Sequence, residues 1–154
     1  MRAKYKPSVD PFRDTEVIDQ RAPRTNQAVV AIVTGLAYAF DFWPLASLIG
    51  LQLVVGLSLG RRWCLPCLLY FKVIQPRFGE GRIEDSRPPR FANIVGAIFL
   101  GAATVMFVAG ATTAGWAVSL IVTTLAGFAA VSGICVGCEI FVAFARLRGI
   151  RLAT

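Results

Sequence analysis

The sequence predicts an all-α integral membrane fold: four transmembrane helices as two tandem parallel hairpin repeats, with a short interfacial helix in the loop between them. Three observations predict it. The 154 residues are 56% hydrophobic and only 16% charged, with a mean hydropathy of +0.63, and the charges fall in three blocks separated by long apolar stretches. The chain also repeats itself. Asp19-Gln20-Arg21-Ala22-Pro23-Arg24 recurs 66 positions later as Asp85-Ser86-Arg87-Pro88-Pro89-Arg90, and each copy leads through apolar sequence to a cysteine pair, Cys64-Leu65-Pro66-Cys67 and Cys135-Val136-Gly137-Cys138. Finally, all 16 Lys and Arg lie before Gln27, between Arg61 and Arg90, or after Ile140. That segregation predicts a multi-pass protein of the cell inner or plasma membrane with both termini and the middle loop cytoplasmic.

Taken in order, the chain divides into a cytoplasmic tail (1–18), repeat 1 (19–67), a linker (68–84), repeat 2 (85–138) and a cytoplasmic carboxyl-terminal segment (139–154). No apolar h-region marks a signal peptide, and the tail is expected to be loosely ordered before Asp19. The predicted spans are 27–43, 44–60, 93–111 and 116–134. The first two have 17 residues each, near the lower limit for crossing ~30 Å of hydrocarbon. Asp41 and Pro44 supply the first outer turn, because proline cannot continue a helix, and 112–115 supplies the second. Trp43 and Trp116 then fall at the outer boundary and Trp63 at the inner one, where amphipathic rings prefer the headgroup zone. Residues 65–74 predict the interfacial helix, stopped at Pro76, and 79–86 a turn-rich link. Ala97/Gly101, Ala126/Ala130 and Ala129/Gly133 have the small-xxx-small spacing that lets helices approach closely.

This topology delivers all four cysteines to the cytoplasmic face. If the repeats pack about an axis along the membrane normal, their equivalent ends approach, and one site contains both CxxC pairs. Two sulfurs at CxxC spacing either form a disulfide or chelate one ion, and the thiolate is both nucleophile and soft metal ligand. A reducing cytosol argues against a permanent disulfide, leaving reversible redox work or metal binding by Cys64, Cys67, Cys135 and Cys138. Trp63-Cys64-Leu65-Pro66-Cys67 is similar to the WCxPC site of thioredoxins over those five residues. Arg61 and Arg62 favour thiolate by opposing its charge. Glu139 is either a local proton acceptor, a partner for an arginine, or simply the first polar residue after the span.

The repeated Asp-x-Arg-x-Pro-Arg segment has two readings. It caps the entry to each hairpin, or Arg21, Arg24, Arg87 and Arg90 form a pocket beside the thiols for a small anion such as a sulfur oxyanion or phosphate. Asp19 and Asp85 then orient the arginines or cap the following helices. The net charge of +7 and pI near 9.8 reflect topology and attraction to anionic lipid, and no nucleic-acid partner is expected.

The runs Cys64-Leu65-Pro66-Cys67-Leu68-Leu69-Tyr70, Pro76-Arg77-Phe78-Gly79, Glu84-Asp85-Ser86-Arg87-Pro88-Pro89-Arg90-Phe91-Ala92 and Gly133-Ile134-Cys135-Val136-Gly137-Cys138-Glu139 resemble an actinobacterial-type integral membrane family catalogued as a domain of unknown function. The resemblance covers nearly all of the chain past Val17. It implies thiol or sulfur traffic, because members tend to occur beside thioredoxin-like and sulfurtransferase-type proteins, and so a soluble partner of that kind besides the lipid bilayer.

Two functions follow as expectations. One is a membrane-embedded thiol/disulfide or sulfur relay, thiol–disulfide oxidoreductase-like, in which one cysteine of a pair attacks and the other resolves. The other is a non-enzymatic membrane protein whose four thiolates bind one zinc ion, or less readily an iron–sulfur cluster, and join the repeats. A transporter is disfavoured because the spans carry no charge except Asp41 at a turn. The absence of histidine excludes His-ligated haem and His-dependent acid–base catalysis.

Overall fold

The computed structural model describes residues 10, 12 and 14–149. Strand β1 (Val17–Asp19) leads into α1 (Arg21–Ala39) and α2 (Trp43–Ser58). A helical segment follows, made of α3 (Leu65–Leu69), a π-helical turn (Tyr70–Ile74) and α4 (Gln75–Phe78). Strand β2 (Ile83–Asp85) then leads into α5 (Arg87–Val108), α6 (Thr112–Ser132) and α7 (Val136–Leu147). Most of the amino-terminal tail, expected to be loosely ordered and cytoplasmic, and residues 150–154, expected to be cytoplasmic, lie outside the described residues.

Each long hairpin begins where an aspartate precedes a proline-containing first turn. Asp19 Oδ1 accepts from the Arg21 N–H at 2.9 Å, and Asp85 Oδ1 accepts from the Arg87 N–H at 2.8 Å. These bonds satisfy orphan donors at the helix starts. The proline missing an N–H costs nothing in a first turn, so Asp-x-Arg-x-Pro-Arg is the opening of the helix and not a segment ahead of it. Helices α1 and α5 therefore start six residues before the predicted spans at 27 and 93.

Helix α1 packs along α6 and α5 along α2, in addition to the hairpin contacts α1–α2 and α5–α6. Val30, Leu53, Leu100 and Val122, one from each of the four helices, form the central buried cluster. Polar side chains inside the bundle are paired across helices: Thr34 with Thr123 at 2.7 Å, Thr104 with Ser47 at 2.9 Å, and Asn26 with Asn93 at 3.0 Å. The outward positions are apolar, with Ile32, Phe40, Leu51, Ile98, Val105 and Val131 all exposed. Helices α5 and α6 are long and apolar enough to cross a membrane, while α2 is apolar but shorter.

Asp41, at φ 48°, makes the first turn as expected. The second turn lies at 109–111, not at 112–115. Gly110 takes φ +82° and ends α5, so Thr112 already begins α6. Trp43 and Trp116 meet Phe107 at this end of the bundle, with ring centroids 5.7 and 4.8 Å from it, and Trp116 Nε1 donates to Asp41 Oδ1 at 2.9 Å.

Two further details of the linker differ from expectation, and one adds to it. Pro76 does not stop the middle helix, because the π turn places it in the first turn of α4, and the stop is Gly79 at φ +77°. The segment is also packed on one side, while Leu65, Leu69, Val73 and Phe78 remain exposed. Tyr70 and Phe71 are buried with Ala22 in a second core, and Tyr70 Oη donates to Asp19 Oδ2 at 2.7 Å. The link at 79–86 contains a strand: β2 pairs antiparallel with β1 in the register Val17↔Asp85, Ile18↔Glu84, Asp19↔Ile83. Exchanging each residue for its counterpart 66 positions away leaves that register unchanged.

Candidate functional site

Both cysteine pairs follow a helix that ends in a left-handed glycine, Gly60 after α2 and Gly133 after α6. The first cysteine of each pair is the N-cap of the next helix, Cys64 at φ −84°, ψ 104° and Cys135 at φ −89°, ψ 109°. The local geometry of the two copies is thus the same. Their redox states differ. Cys64 and Cys67 are disulfide-bonded with Cα atoms 5.2 Å apart, while Cys135 and Cys138 are free thiols.

The pairs open into different cavities. One, of about 310 Å³, is lined by Cys64, Cys67, Arg61, Arg90, Ser86 and Asn93. The other, of about 540 Å³, is lined by Cys135, Cys138, Arg24, Gln20, Gly133 and Glu139. Pro23 and Pro89, in the first turns of α1 and α5, line both and stand between them. Each cavity thus joins the cysteine pair of one half to the second arginine of the other half's repeated motif.

This corrects the expectation of one shared site. The two pairs line different cavities, and between the halves the three-residue strands β1 and β2 pair antiparallel just ahead of α1 and α5. Among the described residues no three His, Cys, Asp or Glu side chains group so as to hold a metal ion. No cavity described is lined by both pairs, and a zinc ion or iron–sulfur cluster held by all four thiolates does not fit that separation.

Nor do the four arginines form one anion pocket. Arg21 reaches away to the Phe78 carbonyl at 3.4 Å, and Arg87 Nε lies 3.9 Å from Asp85 Oδ1. Only Arg24 and Arg90 enter the cavities, one in each. Arg24 lies against Gly133 so closely that an added Cβ would fall on its guanidinium, and its Nε is buried without a hydrogen-bond partner among the described residues. Arg61 donates to the Asp14 and Thr15 carbonyls at 3.0 and 2.9 Å, which ties the amino-terminal segment over the first cavity. Burial, and then the neighbouring charge of Arg90, lower its pKa. Arg62 is exposed.

The free pair is electrostatically divided. The Cys138 thiol hydrogen-bonds Cys135, and with further donation from the Cys138 N–H at 3.4 Å and Gln27 Nε2 at 3.0 Å it brings the Cys135 pKa down to about 6 against the opposing effect of burial. Cys138, donating that bond and buried beside the Cys135 charge, is pushed up. Glu139 lies in the first turn of α7 and is exposed, and its charge contributes to the rise at Cys138. The arrangement is a nucleophilic thiolate with a protonated neighbour, the division of labour that thiol–disulfide exchange uses.

Gln27 escaped sequence reasoning, as did Asn26 and Asn93. A signal was present: Gln27 and Asn93 are 66 positions apart, and each opens the apolar run after its arginine motif. Both line cysteine cavities, Gln27 beside Cys135 and Asn93 beside Cys64 and Cys67.

Fold and site together define a helical bundle carrying two separate CxxC centres. The chain belongs to the family DUF4395, a domain of unknown function, whose model matches residues 18–146, so the match takes in both cysteine pairs and all four motif arginines. No curated protein and no solved structure gave a match.

Proposed function

We propose that this protein is a membrane-embedded thiol–disulfide relay working at the cytoplasmic face with a soluble thioredoxin-like or sulfurtransferase partner. The observation that carries the reading is the Cys135/Cys138 pair, in which hydrogen bonds stabilise one thiolate and keep the adjacent thiol protonated within an open cavity. In the relay, a thiolate of the partner dithiol attacks Cys135 Sγ in the Cys135–Cys138 disulfide and expels Cys138 as thiolate, which takes the proton of the partner's second thiol by way of Glu139 at the cavity wall. The partner's second sulfur then attacks its first, closing the partner disulfide and expelling Cys135 as thiolate. Two electrons pass from the partner to the pair. Stabilisation of the Cys135 thiolate favours its departure in the second step, and Arg24 opposes negative charge in the same cavity.

The membrane reading rests on four helices with apolar outer positions and on lysines and arginines confined to one end. We infer four spans, α1, α2, α5 and α6, related in pairs by a pseudo-twofold axis through the β1–β2 ribbon. The unchanged register of that ribbon and the reciprocal packing of α1 on α6 and α5 on α2 support the symmetry. Interhelical hydroxyl and carboxamide pairs inside an apolar exterior are what helix association in lipid uses.

The test is a Cys138→Ser chain presented with a thioredoxin-like protein lacking its own resolving cysteine, in oxidised mixed-disulfide form with a small thiol. A stable mixed disulfide mapped to Cys135 is expected. Exchange confined to other sites, or none at Cys135, overturns the relay.

A further inference from the structure

A third cavity, about 190 Å³, lies inside the bundle with walls that are almost entirely apolar. Phe99, Leu125 and Ile140 line it, and the same three residues are 38%, 47% and 58% exposed on the outer surface. The cavity therefore opens sideways between α5, α6 and α7, where an apolar molecule enters without crossing water. Its inner end is polar. Cys135 stands there with Gln27, whose carboxamide holds the sulfur at 3.0 Å, and with Asn93. Asn93 spends its carbonyl on Asn26 at 3.0 Å, and its amino group has no partner among the described residues.

A lipid acyl chain has no use for carboxamides at the polar end of its slot. A flat ring with a carbonyl at its tip and an apolar tail matches both ends, since a carboxamide N–H donates to the carbonyl and the tail remains in hydrocarbon. The third requirement is a reactive group at the tip, and that is the sulfur of Cys135. We propose that a membrane quinone enters this slot and is the electron acceptor for the Cys135/Cys138 pair. The two sulfurs form one S–S bond and give two electrons to the ring, whose two carbonyl oxygens become hydroxyls. One proton comes from the Cys138 thiol. The other comes from water through the neighbouring cavity that Cys135, Cys138 and Glu139 also line. The inference deepens the relay by naming where its electrons leave, and it rests on the thiol reading of that pair.

The experiment uses the whole chain in detergent, reduced, freed of reductant and mixed without oxygen with decylubiquinone, a ring with no open position for thiol addition. The expected result is quinol absorbance equal to the protein present, with the Cys135/Cys138 peptide lighter by two hydrogens. Leu125→Trp, at an exposed position on the slot wall, should slow this reaction by roughly tenfold or more, as misfit in an apolar pocket does. The same variant should react with oxidised glutathione at the unaltered rate. If glutathione disulfide oxidises the pair but the quinone does not, or if Leu125→Trp reacts with quinone as fast as the parent, the quinone inference falls and the relay stands. If neither oxidant closes the pair, the relay reading falls with it.

Discussion

Replacing Cys138 by alanine removes the largest influence holding Cys135 ionised. In the parent the Cys138 side chain donates to Cys135, and the Cys135 pKa sits at about 6. A hydrogen bond to a charged group contributes about 1.5–3 kcal/mol, and one pKa unit corresponds to about 1.4 kcal/mol. Loss of the bond therefore raises the Cys135 pKa by roughly one to two units, into the range of about 7 to 8. At neutral pH the thiolate fraction then falls by about twofold to tenfold. The assay is alkylation by iodoacetamide across pH in a Cys64→Ser, Cys67→Ser background, read by mass spectrometry at Cys135, which is the single thiol in the Cys138 variants and one of two in the parent. The sign follows from the thiolate being the reactive form. The rate should be flat above the midpoint and fall with each step of acidification below it. Cys138→Ser keeps a donor and should leave the midpoint nearer that of the parent than alanine does. A parent midpoint in the range of an ordinary free thiol, about 8.5, would refute the electrostatic account, as would an alanine variant with an unmoved midpoint.

Two other perturbations probe the frame. Tyr70→Phe removes the 2.7 Å bond to the buried Asp19 carboxylate, and denaturant unfolding in detergent should show a loss of about 1.5–3 kcal/mol; an unchanged midpoint would mean that Asp19 is held by its backbone donors alone. Gly60→Ala and Gly133→Ala both force alanine into left-handed backbone, costing about 1–2 kcal/mol each. Gly60 has open space around it while an added Cβ at Gly133 meets the Arg24 guanidinium, so thermal unfolding should rank Gly133→Ala clearly below Gly60→Ala, and equal losses would place Arg24 elsewhere.

Much of this arrangement was legible in the sequence because it depends on local chemistry. The repeat, the two CxxC pairs, the turn at Asp41 and the division of charge are patterns in neighbouring residues, and helices α1, α2, α5 and α6 follow from them. The relation between the halves was not legible. Whether equivalent ends converge or face apart depends on how the copies dock, and the element that decides this is three residues long in each copy, Val17–Asp19 against Ile83–Asp85. Neither segment has the length or alternation that marks a strand in sequence. What holds them together is contact between distant segments: the Gln20 N–H donates to the Arg82 carbonyl and the Ser86 N–H to the Glu16 carbonyl, both at 2.9 Å, and the Gly81 N–H to Asp19 Oδ2 at 2.8 Å. The π turn at Tyr70–Ile74 escaped for a related reason. Pro76 reads as a stop unless tertiary contacts stabilise the wider turn before it, and those contacts come from the Tyr70 bond to Asp19, 51 positions away.

The two centres share a frame but differ in the loops that build them. Repeat 1 places Arg61, Arg62 and Trp63 between Gly60 and Cys64, whereas repeat 2 has only Ile134 between Gly133 and Cys135. The longer loop lets Arg61 reach the Asp14 and Thr15 carbonyls, and the shorter one brings Gly133 down onto Arg24. Gln27 then meets the Cys135 sulfur, while its counterpart Asn93, shorter by one methylene, bonds with Asn26. Stabilising a thiolate favours the reduced form of a pair and makes its disulfide the stronger oxidant. Cys135/Cys138 is therefore the centre that should take electrons, and Cys64/Cys67 the one that should give them up. Because Pro23 and Pro89 stand between the cavities, electrons in the proposed relay pass from one pair to the other on a soluble dithiol that visits both, and a partner able to reach only one cavity would leave the other centre idle.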